Sequence, residues 1–330
     1  METINIFRSG TLKRYQNSLI HIGKDGKKSF IPIENTDKIR VFSELNINKR
    51  LLEFLSKKGV AIYFFNYHGY YSGAFIPNDK KTTGETLLKQ TDYYKDEQKR
   101  LTIATEIVRG TSKNMLNNIS YYLGQKITLL KEKNELKKKM DKLSKAKTVD
   151  ELMAYEALIR KTYYKSLDKI VKYPDFKMHK REKRPPTNYT NAMISYGNTL
   201  LYLDTLTEIL KTQLDPAIGY LHSSNHRRFS LNLDLSEVFK PIVVDRVILS
   251  MVNKNQIKPA DFKATKGGVY LNKEGNIKFL KEYEKRIKQT VFDKGLNRKI
   301  SYKGLIRHEA YKLLGHINGT NDYKAFEMRR

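Results

Sequence analysis

Three side chains in one short stretch of this sequence are of the types that bind a divalent cation. Between Gly219 and Asp245 the chain reads GYLHSSNHRRFSLNLDLSEVFKPIVVD and carries His222, Asp234 and Glu237. The two carboxylates are three residues apart. On a helix that spacing puts both on one face, about a turn from each other. They ride among Leu231, Leu233, Leu235, Val238 and Phe239. Acids beside apolar surface carry a desolvation cost that a metal ion or a basic partner must offset. The whole chain has 63 Lys and Arg against 35 Asp and Glu, a formal net charge of +28. A carboxylate–histidine cluster on so basic a protein points to a divalent-metal site that works on a polyanion.

Other chemistries find less support. There is no cysteine, which excludes disulfides and thiolate zinc sites. No Ser-His-Asp pattern stands out, so no side chain is arranged as a covalent nucleophile. A sequence pI of about 9.8 makes nucleic acid the leading partner class, ahead of an anionic membrane surface or solubility alone. No window approaches the ~18 consecutive apolar residues of a membrane span, and METINIFRSG lacks the layout of a signal peptide. A cytoplasmic location is expected. Near the acids, Arg227, Arg228 and Lys240 are placed to hold phosphates or merely to cap and solvate. His226, in a polar loop, is a weaker candidate than His222.

The elements that must position these residues divide into two sets. Residues 1–77 read as β-rich: strands at Thr3–Phe7, Thr11–Tyr15, Ser18–Ile22, Ser29–Ile33, Lys38–Phe42, Ala61–Phe65 and Tyr70–Phe75. Asp25-Gly26 is a hairpin turn. A helix over Asn46–Lys58 has Ile47, Leu51, Leu52 and Leu55 on one face and Gly59 at its stop. Residues 78–90 read as a polar linker, and 91–330 as an all-α catalytic domain that binds metal and DNA. The helical period predicts one helix or a broken pair over residues 84–108, then Leu116–Leu130, Thr148–Tyr164 with a Thr148–Glu151 capping box, Ala192–Leu210, Leu231–Asn253 interrupted near Pro241, and Gly304–Leu314. Lys131–Lys147 holds eight Lys against three acids, the pattern of a solvated helical face or hairpin tip ahead of a DNA contact. Lys172–Arg184 is basic, proline-bounded and expected to be mobile. The fold class is therefore α+β, a small N-terminal β-rich domain followed by a larger α-helical one. Tyrosine is abundant at 22 residues, and its pairs, Tyr163/Tyr164 among them, mostly suit cores and interfaces.

Four blocks in order along the chain carry a family likeness: FFNYHGYYSGAF at Phe64–Phe75, LMAYEALIRKTYY at Leu152–Tyr164, RPPTNYTNAMISYGNTLLY at Arg184–Tyr202 with Asn191 and Ser195 inside it, and the segment that opened this section. Together they resemble the CRISPR adaptation integrase, the endonuclease-integrase that inserts spacers into CRISPR arrays, in the branch found with subtype I-B systems. The resemblance implies that Glu156, His222 and Glu237 bind the metal. It leaves Asp234 as either a further ligand or the residue that orients one. Ala157 stands where the family often has glycine after that glutamate, which favours helix continuity. Also implied are Mg²⁺ or Mn²⁺ as cofactor and double-stranded and branched DNA as substrate. The further partners implied are a homodimer formed through the β domains and a small ferredoxin-like partner protein. The reaction implied is attack of a DNA 3′-hydroxyl on a phosphodiester. The residues alone leave two rivals standing, a noncatalytic module that binds branched DNA and a purely hydrolytic metal nuclease.

Overall fold

The computed structural model describes residues 2–77, 81–125, 127–182, 185–222, 229–293 and 295–328. The chain forms two compact units, residues 1–80 and 81–330.

The first unit is built from β1 (Glu2–Ile6), β2 (Gly10–Tyr15), β3 (Ser18–Gly23), β4 (Lys28–Ile31), β5 (Thr36–Val41), β6 (Leu45–Asn46), α1 (Lys49–Lys57), β7 (Ala61–Phe65) and β8 (Tyr71–Phe75). They make two four-stranded sheets, ordered β1-β5-β7-β8 and β4-β3-β2-β6. Strand β5 lies parallel to both β1 and β7, and every residue of it is buried. The expected Asp25-Gly26 turn joins β3 to β4, and Gly26 takes φ +73°, a left-handed conformation that glycine adopts without steric cost. Asn48 caps α1 by accepting from the Leu51 backbone N–H. Leu51, Phe54 and Leu55 then pack against Leu12, Leu19, Ile39 and Ile62 to make the core of this unit.

The second unit is mainly helical: α2 (Gly84–Lys95), α3 (Glu97–Leu123), α4 (Leu130–Met140), α5 (Val149–Ile170), α6 (Tyr189–Ile209), α7 (Leu231–Phe239) and α8 (Val244–Asn253) come first. Then follow β9 (Phe262–Thr265), β10 (Gly268–Leu271), α9 (Lys273–Lys288), β11 (Thr290–Asp293), β12 (Arg298–Ser301) and α10 (Tyr302–Ile317). It is thus not wholly α. The strands β9–β10 and β11–β12 pair as two-stranded hairpins, the first turning at Gly268 with φ +123°. Helix α2 occupies much of the stretch expected as linker, because Thr83 caps it through the Thr86 N–H. Asp96 separates α2 from α3 by accepting from the N–H groups of Gln98 and Lys99. Helix α3 consequently runs through the boundary expected near Leu116.

Thr148 starts α5 as its spacing predicts, accepting from Glu151 N, while Glu151 reaches back to the Lys147 N–H rather than to that of Thr148. The break near Pro241 separates α7 from α8. The basic stretch after α5 is tied by hydrogen bonds over its described residues. Asp168 accepts from the N–H groups of Met178 and His179, Asn188 donates to Met178 O, and Arg181 donates to Asn191 and Ser195. Helix α3 packs on α5 and α7, and α6 packs on α7 and α8. Helix α7 is therefore enclosed by its neighbours, with Leu231, Leu235, Val238 and Phe239 fully buried.

After α10 the chain returns along α3 as an extended tail. Asn114 binds it at two points, donating to Phe326 O at 3.1 Å and accepting from Met328 N at 2.8 Å. Glu309 accepts from Tyr323 Oη and Phe326 N. Phe326 stacks on Phe239 with ring centroids 5.8 Å apart.

Candidate metal centre

Asp234 sits in the first turn of α7 and has no exposed surface. Its Oδ2 accepts from the N–H groups of Tyr220 at 2.5 Å and Leu221 at 2.9 Å. Its Oδ1 takes the N–H of His222 at 3.0 Å and lies 2.8 Å from the ring Nδ1 of the same histidine. The carboxylate thus folds the 219–222 segment around itself. Gly219 is part of the device, since a Cβ there would stand 2.8 Å from Asp234 Oδ2 and from Ser230 Oγ. With Nδ1 committed as donor to a buried carboxylate, the neutral imidazole carries its lone pair on Nε2. That nitrogen faces Glu237, 3.9 Å from Oε1.

One turn further along α7, Glu237 is 5% exposed and meets three basic groups. Arg160 Nη2 donates to its Oε2 at 2.7 Å, and Lys240 Nζ donates to its Oε1. Lys240 is itself buried, donating to Tyr202 Oη at 2.7 Å. Burial alone would raise the Glu237 pKa, but Lys240 and Arg160, joined by His222 when its ring is protonated, outweigh it and hold the carboxyl well below the usual range. Burial likewise opposes charge on Lys240, and Glu237 more than reverses that.

Glu156 comes from the middle of α5, where Ala157 leaves the helix unbroken. Its Oε1 accepts from Arg160 Nε at 2.6 Å and also from Nη2. Glu156 and Glu237, from different helices, therefore converge on one guanidinium. Beneath them Tyr163 Oη donates to Asp245 Oδ2 at 2.9 Å, and Asn118 Nδ2 ties Tyr163 Oη to Pro241 O. Burial pushes Asp245 up to about 6 and pushes the Tyr163 phenol far up, so this hydroxyl braces the helices and stays protonated.

The four residues expected at the site are thus brought together, with Asp234 one layer behind His222. His226, Arg227 and Arg228 lie outside the described residues. Asn191 and Ser195 hold Arg181. Sequence reasoning missed Arg160, whose four-residue spacing from Glu156 is that of a helical ion pair. Among the described residues, no three His, Cys, Asp or Glu side chains form a group that would hold a metal ion as placed. The guanidinium of Arg160 lies between the two glutamates. The donor set nonetheless suits a divalent cation: two hard carboxylates and one imidazole whose free nitrogen is oriented from behind. They would serve it when Arg160 swings aside.

Residues 4–285 match the model of the family CRISPR associated protein Cas1. The CRISPR-associated endonuclease Cas1 of Fusobacterium nucleatum is 42% identical over 323 residues, covering 98% of this chain and 95% of the relative. The solved structure of a CAS1 protein from Thermotoga maritima superposes with TM-score 0.88 at 41% identity, over 99% of this chain and all of that one. A casposase bound to integration product shares the fold, with TM-score 0.85 at 18% identity over 100% and 96% of the two chains. A β-rich unit followed by a helical unit is thus the architecture of these proteins as well, and this chain belongs to the Cas1 family.

Proposed function

We infer that this chain is an endonuclease and DNA integrase of CRISPR adaptation, which inserts foreign DNA by directing a 3′-hydroxyl onto a phosphodiester. The observation that carries the assignment of residues is the convergence of Glu156 and Glu237, from separate helices, beside the free nitrogen of His222. A divalent cation held by these three side chains, Mg²⁺ or Mn²⁺, would stabilise charge on the phosphate and on the oxygens in line with it. The protein supplies the rest. Asp234 fixes the tautomer and tilt of His222. Lys240, held by Glu237 and Tyr202, brings a positive charge beside the phosphate position, and the excess of basic residues draws in the DNA backbone. We assign the β-rich unit to homodimer formation and place the enzyme in the cytoplasm with a small ferredoxin-like partner protein. Among the described residues, no helix is long and apolar enough to cross a membrane.

A strand-transfer assay tests the proposal. Labelled duplex with free 3′-hydroxyls and a supercoiled or branched target are mixed with the protein in Mn²⁺, in Mg²⁺, or in chelator. Joined products that need the metal and vanish in Glu156→Ala are expected. Cleavage without joining, unchanged when the small partner is added, would instead make the chain a hydrolytic nuclease. Binding without reaction would make it a structural module.

A further inference from the structure

Arg160 lies on α5 one turn after Glu156 and reaches across to α7. It donates through Nε to Glu156 Oε1 at 2.6 Å and through Nη2 to Glu237 Oε2 at 2.7 Å. Its side chain is only 19% exposed. Burial disfavours its charge, yet Glu237 and Glu156 more than compensate. Among the described residues it is the only cation paired with Glu156, whereas Glu237 also has Lys240. A planar guanidinium can serve two carboxylates at once, which a lysine at the same place does poorly. The carboxylate oxygens it holds are those a divalent ion would need.

We propose that Arg160 is a tethered counter-cation that competes with the divalent ion for Glu156 and Glu237, so that it keeps the acid pair closed until the ion displaces it and sets the affinity of the centre. The proposal rests on the metal centre inferred above. Two opposed effects follow from one side chain. Arg160 stabilises the fold by neutralising one buried and one half-buried acid, and it weakens metal binding by occupying their oxygens.

The test is titration of Mn²⁺ into the full-length protein, followed by calorimetry and by the electron paramagnetic resonance of free Mn²⁺. Melting is measured in chelator and at saturating Mn²⁺. Arg160→Gln is expected to bind Mn²⁺ about tenfold more tightly than the wild type, the scale of one lost charge-assisted competitor. It should melt lower in chelator and gain more from Mn²⁺. Arg160→Lys should fall between the two, since one ammonium cannot bridge both acids. A strut without a competing role predicts a different pattern: lower melting with Mn²⁺ affinity unchanged or weaker in Arg160→Gln, and that result overturns the proposal. If Arg160→Gln does not fold, unchanged affinity in Arg160→Lys overturns it. Saturable Mn²⁺ binding absent from the wild type and both variants removes the metal centre itself, and this proposal with it.

Discussion

The two ends of α7 treat their carboxylates in opposite ways. At its start, Asp234 is closed off from solvent and spends its oxygens on three backbone N–H groups and a histidine ring. The three N–H groups cannot leave without unfolding the 219–222 segment. One turn later, Glu237 is held by the tips of two long side chains, Arg160 and Lys240, and each can swing away. The same chemical group therefore serves as a fixed scaffold in one place and as an exchangeable site in the other. Spacing on the helix cannot distinguish them; the mobility of the partners does.

The largest expected effect breaks the exchangeable end. Glu237→Gln should lower metal-dependent strand transfer on the order of 10³-fold, the loss of several kcal/mol of transition-state charge stabilisation, with DNA affinity retained in a filter-binding assay. Equal loss of DNA binding would show that the residue supports the fold instead. At the fixed end, Asp234→Asn should weaken Mn²⁺ binding about 10- to 100-fold, the range for a residue that orients a ligand. The same change should cost about 2–3 kcal/mol in denaturant melts, because an amide cannot accept all the N–H groups the carboxylate holds. A loss of strand transfer as deep as that of Glu237→Gln, at unchanged stability, would make Asp234 a ligand and erase the contrast.

A third carboxylate sharpens the comparison through pH. Asp245 is raised from about 3.8 to about 6 by burial, so the folded state holds a proton the unfolded chain gives up. Its contribution to stability is complete below the lower value and is lost as pH rises toward the upper one. Glu237, held below its ordinary value, works the other way and loses its contribution on acidification. Asp245→Asn keeps an acceptor for Tyr163 and stays neutral. Relative to the wild type it should gain about 1–3 kcal/mol between pH 4 and 6. A constant difference across that window, read from urea melts, would place the proton elsewhere. The smallest effect lies away from both ends, on α4. Lys137 and Lys138 are exposed there. Changing both to Gln should reduce the salt slope of DNA binding by about 1–2 at unchanged catalysis; an unchanged slope would make them a solvated face.

Much of this organisation was legible in the residues. Alternation of apolar positions gave the strands of the first unit, Asp25-Gly26 its turn, and Pro241 the break after α7. His222, Asp234 and Glu237 stood out because acids and an imidazole interrupt an apolar run. Glu156 did not, since an isolated glutamate on an amphipathic helix is usually solvated; only the family likeness of its block singled it out. The cross-helix reach of Arg160 depends on how α5 and α7 pack, which no local pattern encodes. Helix α9 is not among the expected helices, although Phe279, Leu280, Tyr283 and Ile287 give it a buried stripe. The basic stretch after α5 looked mobile because charge and proline dominate it, whereas Asp168 and Asn188 reach in from other elements to hold it.

The tail that returns to α3 has a temporal consequence. Asn114 donates to the backbone of Val238, the neighbour of Glu237, with the same amide nitrogen that binds Phe326 O. Phe326 and Met328 are joined to Asn114 across 212 and 214 residues of sequence. During synthesis, α3, α5 and α7 leave the ribosome well before this segment does. Contacts this distant in sequence are slow to close, so α5 and α7 can carry their charged residues before Asn114 joins the Val238 backbone to the tail.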